Sequence, residues 1–181
     1  FYRTPDLHWD SATLQGSPFY YFSYGACIAE VAIDTLTGEN RVLRADILQD
    51  CGSSLNPAID LGQIEGGFVQ GMGWLTSEEL WWNEAGQLKT HAPSTYKIPT
   101  CRDRPAHFDV RIWAPGCNRE GTIHRSKAVG EPPLVLATCV HQALSDALSS
   151  LVDYRQVPPL DAPATPEAIL AAVDQLRSKL N

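Results

Sequence analysis

The chain has no long apolar run, no cluster of lysine and arginine, and no closely spaced pair of cysteines, and each absence removes a class of function. Its longest apolar stretch, Leu134 to Val140, is far short of the roughly 20 residues that a membrane-spanning helix requires. The start carries neither the basic nor the apolar segment of a secretory signal. Basic residues number 14 against 21 acidic ones, a net charge of −7 with no basic stripe. Nucleic-acid affinity rests largely on clustered Lys and Arg, so no nucleic acid and no membrane is expected as a partner. A cytoplasmic location is expected. Cys27, Cys51, Cys101, Cys117 and Cys139 are widely spaced and form no CxxC motif, which argues against a local zinc, iron–sulfur or dithiol motif. They read as small core residues or inert thiols. His8, His91, His107, His124 and His141 are scattered, none at the i, i+4 spacing of a metal-binding helix. No protein-borne metal ligand is expected. Internal repeats, low-complexity tracts and a glycine-rich dinucleotide fingerprint are also missing.

What is present suffices for one folded domain: 181 residues, 44% hydrophobic and 19% charged. After an irregular opening, Tyr20 to Ile33 reads as a strand, Thr37-Gly38-Glu39-Asn40 as a turn and Val42 to Asp50 as the returning strand. Asn56 is a good N-cap and Pro57 a good first residue for a helix running to about Trp74. That helix contains Gly62, Gly66, Gly67, Gly71 and Gly73, each weakening it by about 1 kcal/mol relative to Ala, so close packing must compensate. Gln63, Gly67 and Gln70 fall on one face, where either a ligand or another helix could approach the backbone. Residues 78–92 suggest a second hairpin, Phe108 to Trp113 another strand, and Glu131 to about Leu151 a long helix. Trp74, Trp81 and Trp82 read as core or interface, since no basic residues accompany them as in a base-stacking platform. Thr165 and Pro166 open a closing amphipathic helix with Ile169, Leu170, Val173 and Leu176 on its apolar side. The expected fold is therefore α+β: β-hairpins packed with a buried glycine-rich helix and two C-terminal helices. Residues 1–156 form its main part, and 157–181 a Pro-rich linker and closing helix of the same domain.

The segment Gly130-Glu131-Pro132-Pro133-Leu134 sets a lone carboxylate where a turn becomes a helix. Proline suits the first helical positions and pushes the preceding residue toward extended geometry. Glu131 is thus a candidate general base, or else a carboxylate that merely complements a helix dipole. Ser53-Ser54 and Ser126-Lys127 lack the strand–elbow–helix setting of a hydrolase serine.

The wider run Ser126-Lys127-Ala128-Val129-Gly130-Glu131-Pro132-Pro133-Leu134 resembles the segment that carries the active-site glutamate in the xanthine dehydrogenase/oxidase family of molybdenum hydroxylases. The stretch Asp50-Cys51-Gly52-Ser53-Ser54-Leu55-Asn56-Pro57, continuing through Gln63 to Gly73, is similar to the part of that family that presents a glutamine to the molybdopterin cofactor. Pro93 to Pro99, the opening Tyr2-Arg3-Thr4-Pro5, Tyr21 to Gly25 and Leu160 to Glu167 extend the likeness in the family's order. The resemblance implies the C-terminal part of a molybdopterin-binding domain. Glu131 would be the general base, taking a proton from a hydroxyl that attacks an electron-poor carbon; it should be ionised yet poorly solvated, burial and the helix terminus acting oppositely on its pKa. Gln63 would hydrogen-bond the cofactor, with Val129 and Gly130 lining it. A molybdenum–molybdopterin cofactor, shared with upstream residues, is implied, with iron–sulfur clusters and FAD on other parts of the complete enzyme. The implied substrate is a purine, hypoxanthine or xanthine, oxidised to urate. Phe1, in place of an initiator methionine, suggests a fragment or processed chain, inactive alone and expected to self-associate or join the upstream part of the domain and the iron–sulfur and flavin modules. The alternative is a structural or assembly module of a related aldehyde oxidase-like hydroxylase, with no catalytic residue of its own.

Overall fold

The computed structural model describes residue 1 and residues 3–179; Tyr2 of the opening motif lies outside the described residues. Its centre is a three-stranded sheet of β3 (Gly25–Ile33), β4 (Asn40–Gln49) and β5 (His107–Ile112), with β4 in the middle. A separate two-stranded ribbon, β1 (His8–Asp10) and β2 (Gln15–Ser17), precedes it. In sequence this ribbon is irregular, because strands of three exposed residues show no apolar alternation.

β3 and β4 form the expected antiparallel hairpin, although β3 begins at Gly25 and not at Tyr20, and it is closed by hydrogen bonds from Gly38 N to Asp34 O and from Asp34 N to Glu39 O, each 2.8 Å. Val42 pairs with Val31 and Arg44 with Glu30, so Leu43 is an extra residue on β4. This bulge explains why the buried positions of β4 run Val42, then Ala45, Ile47 and Gln49, a break in strict alternation. The opposite face carries ion pairs, Arg44 with Asp46 at 2.5 Å and Arg111 with Asp109 at 2.5 Å, beside exposed Ile28 and Leu48. β5 joins β4 in parallel. A parallel neighbour demands a crossover, and the glycine-rich helix α1 (Pro57–Thr76) lies in that connection.

The core forms between the sheet and the helices. Ile64 and Phe68 of α1 are fully buried, and the Phe68 ring lies 5.5 Å from that of Phe108. α2 (Thr138–Ser150) contributes Val140, Leu144 and Leu148, and α3 (Pro166–Ser178) contributes Ile169, Ala172, Val173 and Leu176. Thr165 caps α3 by accepting from Ala168 N at 3.3 Å. Asn40 Nδ2 donates to Ala164 O at 3.2 Å, and Ala164 N to Leu75 O at 2.8 Å, so the closing segment is tied to both the hairpin and α1. This is the expected α+β architecture.

Several details refine the expectations from sequence. The helix expected from Glu131 begins as a 3-10 helix over Pro132–Ala137 and becomes α-helical only at Thr138. The hairpin at residues 78–92 is present in short form, with an antiparallel bridge from Trp82 to Leu88 and hydrogen bonds from Lys89 N to Trp81 O at 2.8 Å and from Asn83 N to Gln87 O at 3.0 Å. Trp74, Trp81 and Trp82 are each about half exposed, at 49%, 52% and 51%, which excludes the core alternative and leaves the interface one. Of the cysteines, Cys51 is buried and Cys101 and Cys117 are exposed, but Cys27 and Cys139 are half-buried neighbours with sulfurs 3.1 Å apart.

Candidate functional site

Two chain segments distant in sequence build the site: α1 with the loop before it, and the run from Ser126 into the 3-10 helix. Asn56 adopts extended geometry and accepts from Ile59 N at 3.4 Å, as an N-cap does, and Pro57 follows. The helix then presents glycines on two sides. On the inner side a Cβ at Gly67 would stand 3.3 Å from Pro133 Cβ and 3.4 Å from Gly130 O. At Gly71 it would collide with Leu134 O and lie 2.8 Å from Ala137 Cβ. The close approach that these glycines permit is thus used by the protein's own glutamate-bearing segment. On the outer side Gly62 and Gly66 have nothing within 4 Å of their missing Cβ positions, and the exposed Gln63 and Gln70 lie at the margin between the two sides.

Glu131 stands before Pro132 with φ −104° and ψ −38°, in the helical region and not the extended one expected. The cause is local. Pro132 and Pro133 have no N–H, so the first available donor is Leu134 N, which reaches Glu131 O at 3.0 Å and draws Glu131 into the 3-10 turn. α1 packing against this turn holds it there. The Glu131 side chain is exposed in this chain, so the chain itself does not supply the poor solvation expected of it. Gln63 Oε1 lies 3.4 Å from the Cβ position that Gly130 leaves empty, which sets the amide beside the residue preceding Glu131. Val129 is half-buried and packs against the core. The structure therefore brings Gln63, Gly130 and the start of the Glu131 turn together, with Val129 just behind.

A second set of contacts fastens the loop before α1 to the glutamate segment. Lys127 Nζ pairs with Asp50 Oδ2 at 2.5 Å, with side chains only 9% and 14% exposed, and also stands 5.3 Å above the Tyr24 ring. Lys127 N donates to Cys51 O at 2.8 Å, Gly52 bridges Ser126, and Gly52 N donates to Asp50 Oδ1 at 2.8 Å. Tyr21 Oη accepts from Ala128 N at 2.9 Å. Asn118, 2% exposed, donates from Nδ2 to Ser126 O at 3.2 Å and to Thr122 Oγ1 at 3.1 Å. Sequence reasoning missed these supports. Asp50 and Lys127 lie within the two matched segments, yet nothing in a single sequence couples positions 77 residues apart.

Residues 1–105 match the family model of the molybdopterin cofactor-binding domain. This chain belongs to the molybdopterin cofactor-binding domain family. Within it, the similarity is to xanthine dehydrogenases: the chain is 50% identical to xanthine dehydrogenase/oxidase of Rattus norvegicus over 97% of its length, and 48% identical to xanthine dehydrogenase of Oryza sativa subsp. japonica over 99%. It spans 14% of the length of each of these relatives. Among solved structures it is similar to quinoline 2-oxidoreductase from Pseudomonas putida 86, with a TM-score of 0.71, 31% identity, and coverage of 80% of this chain and 18% of that one. The resemblance to the xanthine dehydrogenase/oxidase family seen in the motifs therefore holds over nearly the whole chain. The exposed side of α1 in this molybdopterin-binding domain chemically fits the family's cofactor: Gln63 offers both a donor and an acceptor, beside glycines with no side chain to obstruct an approach. Among the described residues no helix is long and apolar enough to cross a membrane.

Proposed function

We propose that this chain is the C-terminal catalytic portion of a xanthine dehydrogenase-like molybdenum hydroxylase that oxidatively hydroxylates a purine, hypoxanthine or xanthine, toward urate. The observation that carries the proposal is the juxtaposition at Gly130. Gln63 reaches it from α1, Glu131 follows it, and the glycine packing at Gly67 and Gly71 holds the two segments in register. Gln63 would hold the cofactor through its amide, with the backbone at Val129 and Gly130 forming the adjoining wall. The chemistry supplied by a bound molybdenum–molybdopterin is two-electron oxidation. Glu131 acts as the general base, accepting at a carboxylate oxygen the proton of the attacking hydroxyl, and such a base typically contributes about 10²–10⁴-fold to the rate. The Lys127–Asp50 pair and the Asn118 contacts keep the backbone leading to Glu131 from drifting, which matters because catalytic efficiency depends on placement. Residues 1–156 form the C-terminal portion of the molybdopterin domain and 157–181 its linker and closing helix. The remainder of the cofactor site, the iron–sulfur clusters and FAD belong to other parts of the complete enzyme, which operates in the cytoplasm.

The test uses that complete enzyme. Glu131→Gln is expected to retain molybdenum while slowing the reductive half-reaction in single turnover by at least about 10²-fold. An unchanged single-turnover rate would remove Glu131 from the role of base.

A further inference from the structure

We propose that Cys27 and Cys139 form a redox-active thiol pair, which an oxidant of the peroxide class closes to an intramolecular disulfide. The pair is assembled by the fold alone, since its members are 112 positions apart and their sulfurs stand 3.1 Å from each other. Cys27 lies on β3 and Cys139 in the first turn of α2. A disulfide needs the sulfurs at about 2.05 Å, so closure asks for an approach of only about 1 Å.

Access and chemistry favour the same two residues. Both residues line an open groove of about 860 Å³ between β3 and α2, whose walls also include Glu30, Gln142 and Asp146. Neither thiol is sealed in the core, unlike Cys51 at 1% exposure. Their acidities diverge. The hydrogen bond shared with Cys139, together with partial burial, pushes the Cys27 thiol well above the ordinary thiol range, while the Cys139 thiolate is favoured by that same hydrogen bond and by backbone N–H groups at Cys139 and Val140. Thiolate character at a helix start, with a resolving thiol in contact, is the arrangement that oxidation selects.

The reaction balances without any other reactant. The Cys139 thiolate attacks one peroxide oxygen, the O–O bond breaks, and the released hydroxide leaves as water with one proton, giving a sulfenic acid. Cys27 sulfur then attacks Cys139 sulfur, the S–O bond breaks, and the departing hydroxide takes the Cys27 proton as a second water. Two thiols lose two electrons in all, and one peroxide becomes two waters. Cys139 directly continues the 3-10 helix Pro132–Ala137, so the bond fastens the glutamate-bearing segment covalently to β3.

The experiment uses the complete native protein, exposed to hydrogen peroxide, then alkylated, digested without reductant and analysed by mass spectrometry. The expected result is a peptide pair joined through Cys27 and Cys139, abolished by dithiothreitol, with Cys101 and Cys117 outside it. In Cys27→Ala, the expected product is singly oxidised Cys139, trapped as the sulfenic acid by dimedone. Absence of the joined peptides in the native protein overturns the proposal, whether the two thiols stay reduced or oxidise separately. That readout needs neither cofactor nor turnover, so it stands or falls apart from the role of Glu131.

Discussion

Glu131 and Gln63 lie at the same junction but differ in what their removal should do. Glu131→Gln keeps size and most packing while deleting the basic lone pair, so its effect should fall on the chemical step alone, as argued above. On the proposed role, Gln63→Leu would instead leave a polar group of the cofactor without a partner, at a cost of about 1–3 kcal/mol. The expected outcome is a fall in bound molybdopterin on purification, measured by molybdenum content and pterin fluorescence. Unchanged occupancy would make Gln63 a surface residue of α1 with no part in binding. Lys127 acts through others. Lys127→Met strands the Asp50 carboxylate at 14% exposure, and breaking a buried pair in this way costs about 3–5 kcal/mol. Denaturant unfolding should show that loss, and Asp50→Asn combined with Lys127→Met should recover part of it, because the uncompensated charge is then gone.

Among the elements, α1 is the one whose composition opposes its conformation. Its glycines disfavour helix, and the structure separates them into two groups. Gly67 and Gly71 admit the turn Pro133–Ala137, whereas Gly62 and Gly66 face open space. Substitution should therefore split the same way. Gly71→Ala drives a methyl into Leu134 O and Ala137 Cβ, an overpacked contact that typically costs about 1–3 kcal/mol. Gly66→Ala meets nothing in this chain and should raise stability by up to about 1 kcal/mol through helix propensity. Thermal unfolding of both variants tests the assignment of faces. If Gly66→Ala leaves the fold intact but lowers cofactor content in the complete enzyme, the open side of α1 is the side that the cofactor approaches.

For the molecule as a whole, charge and surface point in different directions. A net charge of −7 favours dispersal, yet Trp74, Leu80, Trp81 and Trp82 are all about half exposed, at 49–54%. Phe19, Phe22 and Tyr24 add a second aromatic group, with ring centroids 5.8 and 6.5 Å apart along the series. Soluble monomers rarely carry large contiguous apolar patches. On the proposed function these groups face the rest of the domain, so the chain prepared alone is expected to self-associate. Sedimentation velocity across a concentration series tests this, and a monodisperse monomer at every concentration would count against an incomplete surface.

The sequence by itself determined the capped helices, the main hairpin and the family. Asn56 and Pro57, like Thr165 and Pro166, are caps whose side-chain and ring geometry act within a few residues, and the structure begins α1 and α3 at those prolines. The hairpin of β3 and β4 was equally legible, since alternation and a Gly-containing turn are local signals. Glu131, Gln63, Val129 and Gly130 could be singled out because they sit in contiguous matched segments. Only the tertiary structure decided what those segments do to each other. It put β5 parallel to β4, filled the Gly67–Gly71 side of α1 with the turn after Glu131, and bent Glu131 itself into the helical region. It also paired Asp50 with Lys127 and Cys27 with Cys139. Such contacts join residues 77 and 112 positions apart. Their energy depends on distances that the whole core sets, so no local propensity or spacing encodes them.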